Sequence, residues 1–290
     1  FGLTNAAVWR GTGGDYPAVL GMDLISYSPA RVAKGDNSSN VVERAIEYWN
    51  GDEGKRGIVT LCWHWCPAAR YDKSKSDPWG TFYSDKTKFN LARAMNGRDP
   101  DGYQMLLDDI DAIAVQLKRL QDADVPVLWR PLHEASGGWF WWGRGSAENF
   151  VRLWRLMYDR YTHVHGLRNL IWVLGFSDAA EDLRPWYPGD DAVDILGGDS
   201  YKGGAQGDLY RRCAALAPAG MPIVFHECGQ IPTRAEMDAA NAPWAYFMVW
   251  HTSWLTDSSK GNTPESLRAI YRDSSFVTLH QLPDFIENDE

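Results

Sequence analysis

The chain has 290 residues, 44% of them hydrophobic, with a formal net charge of −9. That size suits one large α/β domain with a full core. The acidic balance, with no lysine or arginine run longer than two, argues against nucleic-acid and anionic-membrane partners.

The first residue is Phe1 rather than Met, as in a mature or trimmed product, so a secretory leader would already be gone and a secreted chain is expected. Residues 1–5 read as the remnant of a first strand. The glycine-rich Gly11-Thr12-Gly13-Gly14 lacks the following lysine of a phosphate loop. Residues 17–26 (PAVLGMDLIS) read as a strand ending near Asp23, and 41–49 as a helix. Residues 57–65 (GIVTLCWHW) form the next strand, with His64 at its carboxyl end. The span 67–100 is a long polar excursion that includes Trp79; long loops at such strand ends are usually functional.

Residues 103–123 carry Leu106, Leu107, Ile110, Ile113, Leu117 and Leu120 at helical spacing. They feed the stretch 125–143, VPVLWRPLHEASGGWFWWG. Its apolar start predicts a buried parallel strand, which then turns polar at Arg130, His133 and Glu134 and runs on into Trp139, Phe140, Trp141 and Trp142. A helix at 147–161 and strands at 170–175 and 192–201 follow, the second strand ending in Asp199 and Tyr201. A helix at 209–216 leads to a strand at 221–227 that ends in His226 and Glu227. The chain closes with a helix at 234–240, a strand at 245–251 containing Trp250, and a helix at 264–271.

Strand and helix alternate without a linker, which predicts parallel strands and crossover helices in one domain spanning residues 1–290. Counting the N-terminal remnant there are eight strands, and reactive side chains gather at the carboxyl ends of at least five. A closed (β/α)8 TIM barrel brings every such end to one mouth, whereas an open sheet offers one switch point. Glu134 and Glu227 then end the fourth and seventh strands and face each other.

Two facing carboxyls beside flat rings are the apparatus of glycoside hydrolysis, in which one protonates the leaving oxygen and the other captures the sugar carbon. The fifteen tryptophans exceed what a core absorbs and suit a carbohydrate cleft, since an indole is hard to bury fully. No zinc motif surrounds either His-Glu pair, and no G-x-S-x-G elbow is present, so neither metal nor serine chemistry is expected. A non-catalytic carbohydrate-binding protein would also need aromatic residues, but not the two carboxylates. Cys62, Cys66, Cys213 and Cys228 fit either two disulfides or four buried thiols; a secreted chain favours disulfides. Strand alternation turns Cys228 towards the helix carrying Cys213, making Cys213–Cys228 the expected bridge. A Cys62–Cys66 bridge would need a sharp turn after His64.

The stretches RPLHEASGGWFWWG, GGDSY, FHECG and VWHTSW resemble glycoside hydrolase family 26, whose main members are endo-β-1,4-mannanases. The resemblance implies a retaining double displacement on β-mannan or manno-oligosaccharides by a chain that works as a monomer without cofactor. Mixed-linkage glucan and β-1,3-xylan are alternative substrates within the family. It places Glu134 as general acid/base and Glu227 as nucleophile, with Arg130 and His133 orienting the pair. Asp199 matches a polar family position, Tyr201 a nucleophile contact, His64 a sugar contact, and Trp139 and Trp250 aromatic walls. Trp79 and Trp142 complete the expected substrate-binding set.

Overall fold

The computed structural model describes residues 6–36, 39–51, 56–73, 78–250 and 252–283. Within them lie seven strands: β1 (Val19–Asp23), β2 (Ile58–Cys62), β3 (Val127–Trp129), β4 (Leu170–Ser177), β5 (Ile195–Ser200), β6 (Ile223–Cys228) and β7 (Phe247–Val249). They pair in sequence order, every pair parallel. Parallel neighbours require crossover connections, and most of these carry helices: α1 (Ala6–Thr12) before β1, α2 (Pro29–Val32) and α3 (Val41–Asn50) before β2, α4 (Leu91–Met95) and α5 (Pro100–Asp122) before β3. Next come α6 (Ala147–Asp159), α7 (Gly207–Ala214), α8 (Arg234–Ala240), α9 (Thr252–Thr256) and α10 (Pro264–Arg272).

Helix α5 shows why the sequence takes this form. The Asp99 side chain accepts the Gly102 amide, and Pro100 occupies the first turn, where its missing N–H loses nothing. Leu106, Ile110, Ile113, Leu117 and Leu120 then form one fully buried stripe. Each such side chain contributes about 1.5–3 kcal/mol through burial.

The sheet curls into a nearly closed barrel. β1 and β7 share no hydrogen-bond ladder. Met248 instead crosses into the space left by Gly21, where a Cβ would lie 2.3 Å from its Sδ. Outside this seam α1 packs on α9 and α10. The expected first strand at residues 1–5 lies outside the described residues, so Glu134 follows the third described strand and Glu227 lies on the sixth. Among the described residues no helix is long and apolar enough to cross a membrane.

Inside the barrel, Val173, Ile195 and Val224 form an apolar layer with Leu128 and Tyr246. Two residues further along their strands, Gly175 and Gly197 face the imidazole of His226. The β5–β6 register then shifts: Gly198 pairs with Phe225 and Asp199 with Glu227, so His226 is the extra residue of a β-bulge. A bulge breaks the two-residue alternation and re-aims a side chain. Here it brings His226 and Glu227 to the interior in succession.

The disulfide expectation is corrected. All four cysteines are buried free thiols. The Cys213 thiol points to the Gly197 carbonyl oxygen at 3.7 Å instead of towards Cys228, and Cys66 lies against the Trp79 carbonyl. Burial pushes the Cys66 thiol up to about 11 and that of Cys213 to about 12.

Candidate active site

Beyond β3 the chain leaves the sheet with Arg130 still facing inward, its backbone N–H donating to Leu61 O on β2. The next turns are left-handed at Leu132 (φ 53°) and Glu134 (φ 55°). Each costs on the order of 1–2 kcal/mol for a non-glycine residue. The loop is held regardless, because the Glu134 N–H donates to Gly175 O at 3.0 Å and the indole N–H groups of Trp141 and Trp142 donate to Trp65 O and His133 O. The Trp139 indole folds back over Gly137, where any Cβ would lie 2.2 Å from the ring. Its Nε1–H thereby reaches Glu134 Oε2 at 2.8 Å.

Glu227 sits opposite and is almost wholly buried. Arg130 Nη1 donates to its Oε1 at 2.6 Å, and the Tyr201 hydroxyl donates to its Oε2 at 2.8 Å. His133 Nε2 lies 3.8 Å from Oε1. Burial, reinforced by His64 and Arg130, pushes the His133 ring well below its usual range, so it stays neutral. Both carboxylate oxygens of Glu227 thus have a donor, and the two contacts fix the direction of the carboxylate.

Glu134 differs. Burial, then the charges of Asp199 and Glu227, push its carboxyl up to about 9, against the opposing pull of the Trp139 hydrogen bond. One site therefore holds a protonated acid facing a carboxylate clamped by two donors. Asp199, at the end of β5, is buried beside Glu227.

His64 forms the neighbouring wall. Asp23 Oδ2 lies 2.6 Å from its Nδ1, and Asp23 Oδ1 accepts the backbone N–H groups of His64 and Ile25. Burial pushes the Asp23 carboxyl up, but His64 and these amides outweigh it and hold it below its usual range. Phe82, Phe140, His133 and Trp250 surround the His64 ring at centroid distances of 4.7–5.5 Å. The Arg130 guanidinium lies over the Trp250 ring at 5.5 Å.

The sequence model of glycosyl hydrolase family 26 matches residues 1–281. The chain belongs to this family. Among its relatives, the mannan endo-1,4-β-mannosidase of Thermothelomyces thermophilus is 42% identical over 93% of the chain and 54% of that protein. Mannan endo-1,4-β-mannosidase B of Piromyces is 32% identical over 95% of the chain and 46% of that protein. The chain spans about half the length of these two relatives. The crystal structure of a Podospora anserina family-26 β-(1,4)-mannanase superposes with a TM-score of 0.85 at 40% identity, covering 94% of the chain and 60% of the other. A β-mannanase from a symbiotic protist of the termite Reticulitermes speratus, solved with a gluco-manno-oligosaccharide, gives 0.80 at 33% identity, covering 96% and 84%.

Of the expected family-26 site residues, His64, Arg130, His133, Glu134, Trp139, Asp199, Tyr201, Glu227 and Trp250 converge on this mouth. Trp79 does not touch the carboxyl pair in any described contact. It lies on the loop after β2, with the Arg31 guanidinium 4.5 Å over its ring. The expectation for Trp142 is corrected: it is 0% exposed and offers no face to a sugar. It sits behind the loop and holds His133 by its carbonyl.

Sequence reasoning left Asp23, Phe82, Phe140 and His226 out of the site. Asp23 ends a strand, a usable signal, but its partner His64 comes close only when β1 pairs with β2. Two trios, Asp23–Cys62–His64 and Asp199–His226–Glu227, are compact enough to surround an ion. Neither suits one. Burial keeps the Cys62 thiol protonated, whereas metals take the thiolate. Arg130 already occupies Glu227 and would repel a second cation.

Proposed function

We propose that this chain is a retaining endo-β-1,4-mannanase, cutting internal bonds of mannan, glucomannan or galactomannan. The observation that carries the reading is the pairing of a protonated Glu134, held up to about 9, with a Glu227 carboxylate fixed by Arg130 and Tyr201. Glu134 donates its proton to the glycosidic oxygen while Glu227 attacks the anomeric carbon, giving a glycosyl ester and a free alcohol. Esterification removes the Glu227 charge, so Glu134 becomes a stronger acid and stays ionised. It then serves as the base that takes a proton from water, and the attack of that water regenerates Glu227. Trp139 and Trp250 offer flat rings to the sugar beside the scissile bond, and His64 offers its ring edge. The similarity to mannan endo-1,4-β-mannosidases and the gluco-manno-oligosaccharide in one related crystal support mannan as the substrate. We also read residues 1–290 as one catalytic barrel, secreted and monomeric.

Side-by-side assays on mannan, lichenan, β-1,3-xylan and carboxymethyl cellulose test the substrate, with fastest release of reducing ends expected from mannan. Azide tests the roles. With an acidic phenol as leaving group, Glu134→Ala should form the intermediate and stall, and azide should release a glycosyl azide of retained β configuration. Glu227→Ala should give only the α azide. An α product from the Glu134 variant would reverse the two assignments.

A further inference from the structure

Directly beneath the two glutamates, two fully buried groups share one hydrogen bond. Asp199 Oδ1 and His226 Nδ1 lie 2.5 Å apart, with neither side chain exposed. Three features show that this is built rather than incidental. The imidazole lies in a recess made by glycines on two strands: a Cβ at Gly175 would come within 2.6 Å of the ring, and one at Gly197 within 2.5 Å of its Cβ. His226 is also the bulged residue of β6: alternation from the interior Val224 turns it inward, and Glu227 beside it faces inward only because the register shifts there. The next residue is Glu227, whose backbone amide lies against the same Asp199 carboxyl.

The geometry points to His226 as a positioning residue: bound to Asp199, its imidazole fixes the bulge and so aims the Glu227 carboxylate at the sugar. A bulge leaves its extra residue without a ladder partner, and the ladder alone therefore does not set the direction of Glu227. Asp199 supplies the missing constraint from β5 by holding the bulged residue through its side chain. Burial, with Arg130 pushing the same way, lowers the ring to about 3, so His226 is neutral while the enzyme works. One proton lies between Oδ1 and Nδ1, and no charge need leave the pair during the reaction. His226 touches no substrate and acts through the bulge alone.

The role depends on Nδ1, which separates two conservative replacements. An Asn side-chain nitrogen can stand near the position of Nδ1, whereas a Gln nitrogen reaches towards Nε2. His226→Asn should keep kcat/KM within about threefold of wild type. His226→Gln should lose roughly 10- to 100-fold in kcat/KM with an activated aryl β-mannoside, the scale expected for a nucleophile displaced by about 1 Å. The binding of mannotriose to the Gln variant should be little changed. A role in packing alone predicts the reverse order, because Gln fills more of the recess. Equal activities, a better Gln variant, or a Gln variant that fails to fold while Asn folds would each overturn the proposal.

The inference rests on the proposed role of Glu227, so a second readout is free of any substrate. In crystals of His226→Gln the 2.6 Å contact from Arg130 and the 2.8 Å contact from Tyr201 to Glu227 should lengthen or break, while His226→Asn preserves them. Unmoved contacts in the Gln variant would sink the positioning role even if mannan is cleaved. Displaced contacts in a protein that never cleaves mannan would sink the substrate reading and leave the positioning role standing.

Discussion

At the scale of single residues, the site works because two similar carboxyls are given different surroundings. Glu134 keeps its proton to about 9 partly through the charge of Glu227. We expect kcat/KM on mannan to fall above about pH 9. Glu227→Gln should lower the Glu134 titration, followed by carboxyl NMR, because a negative neighbour has been removed. An unchanged titration would mean that burial and Asp199 raise Glu134 without help from Glu227. Trp139→Phe should move it the other way, since the lost indole hydrogen bond was the larger of two downward influences, the other being His64.

The raised value also bears on stability. Its folded value lies above the unfolded 4.5, so the contribution is full below about 4.5 and is lost as the pH rises towards 9. Glu134→Gln should therefore melt above wild type at pH 8 while losing about 100-fold or more of its activity on polysaccharide. Scanning calorimetry at pH 4 and pH 8 checks this, and a difference independent of pH would contradict it. The two glutamates, Arg130 and His133 were legible because polar residues abruptly end apolar runs. Trp142 was misread because a run of four aromatic residues does not say which of them turn inward. His226 was visible beside Glu227 but was given no role, because a bulge that turns two successive side chains inward leaves no mark in the strand pattern.

At the scale of elements, α5 and the loop after β3 carry tests of their own. Asp109 lies on the buried face of α5 and accepts the Trp65 indole N–H at 2.7 Å. Burial pushes its carboxyl up to about 7 from an ordinary 3.8. Its stabilising contribution is therefore present below about 3.8 and lost as the pH rises through 7. Asp109→Asn, which keeps an acceptor and drops the charge, should raise the melting temperature at pH 8 and change it little at pH 4. Gly143 closes the catalytic loop, and a Cβ there would lie 2.0 Å from the Ala135 carbonyl oxygen. Backbone cannot swing aside as a side chain can. Gly143→Ala should cost about 1–3 kcal/mol in urea denaturation and reduce kcat by displacing the adjacent Glu134. Helix α5 was foreseen to within three residues of each end, its long apolar stripe giving the period many turns in which to show. Helices α1, α2, α4 and α9, at four to seven residues, show too few turns for that signal and went unread, although the seven-residue α8 was foreseen.

At the scale of the whole molecule, alternating strand and helix gave the barrel, and seven of its strands lie in the described chain. Chain order could not show how β1 and β7 meet, because Gly21 and Met248 are far apart in sequence and adjacent only once the sheet curls. The disulfide reading failed at this scale too. It followed from the expected compartment, whereas the thiols are held by local packing. Melting curves with and without a reductant should coincide, and alkylation after denaturation should modify four cysteines per chain. A lower melting temperature under reductant would restore a bridge.

The two carboxyls also hang from backbones of unequal kind. Glu227 belongs to a hydrogen-bonded strand, whereas Glu134 sits on a left-handed turn outside the sheet. On warming, short of global melting, the turn is the first to loosen, so proton delivery should fail before nucleophilic attack. A partly heat-worn enzyme would then stop cutting polysaccharide while still turning over aryl glycosides in azide: two half-lives in one protein, the shorter belonging to the acid.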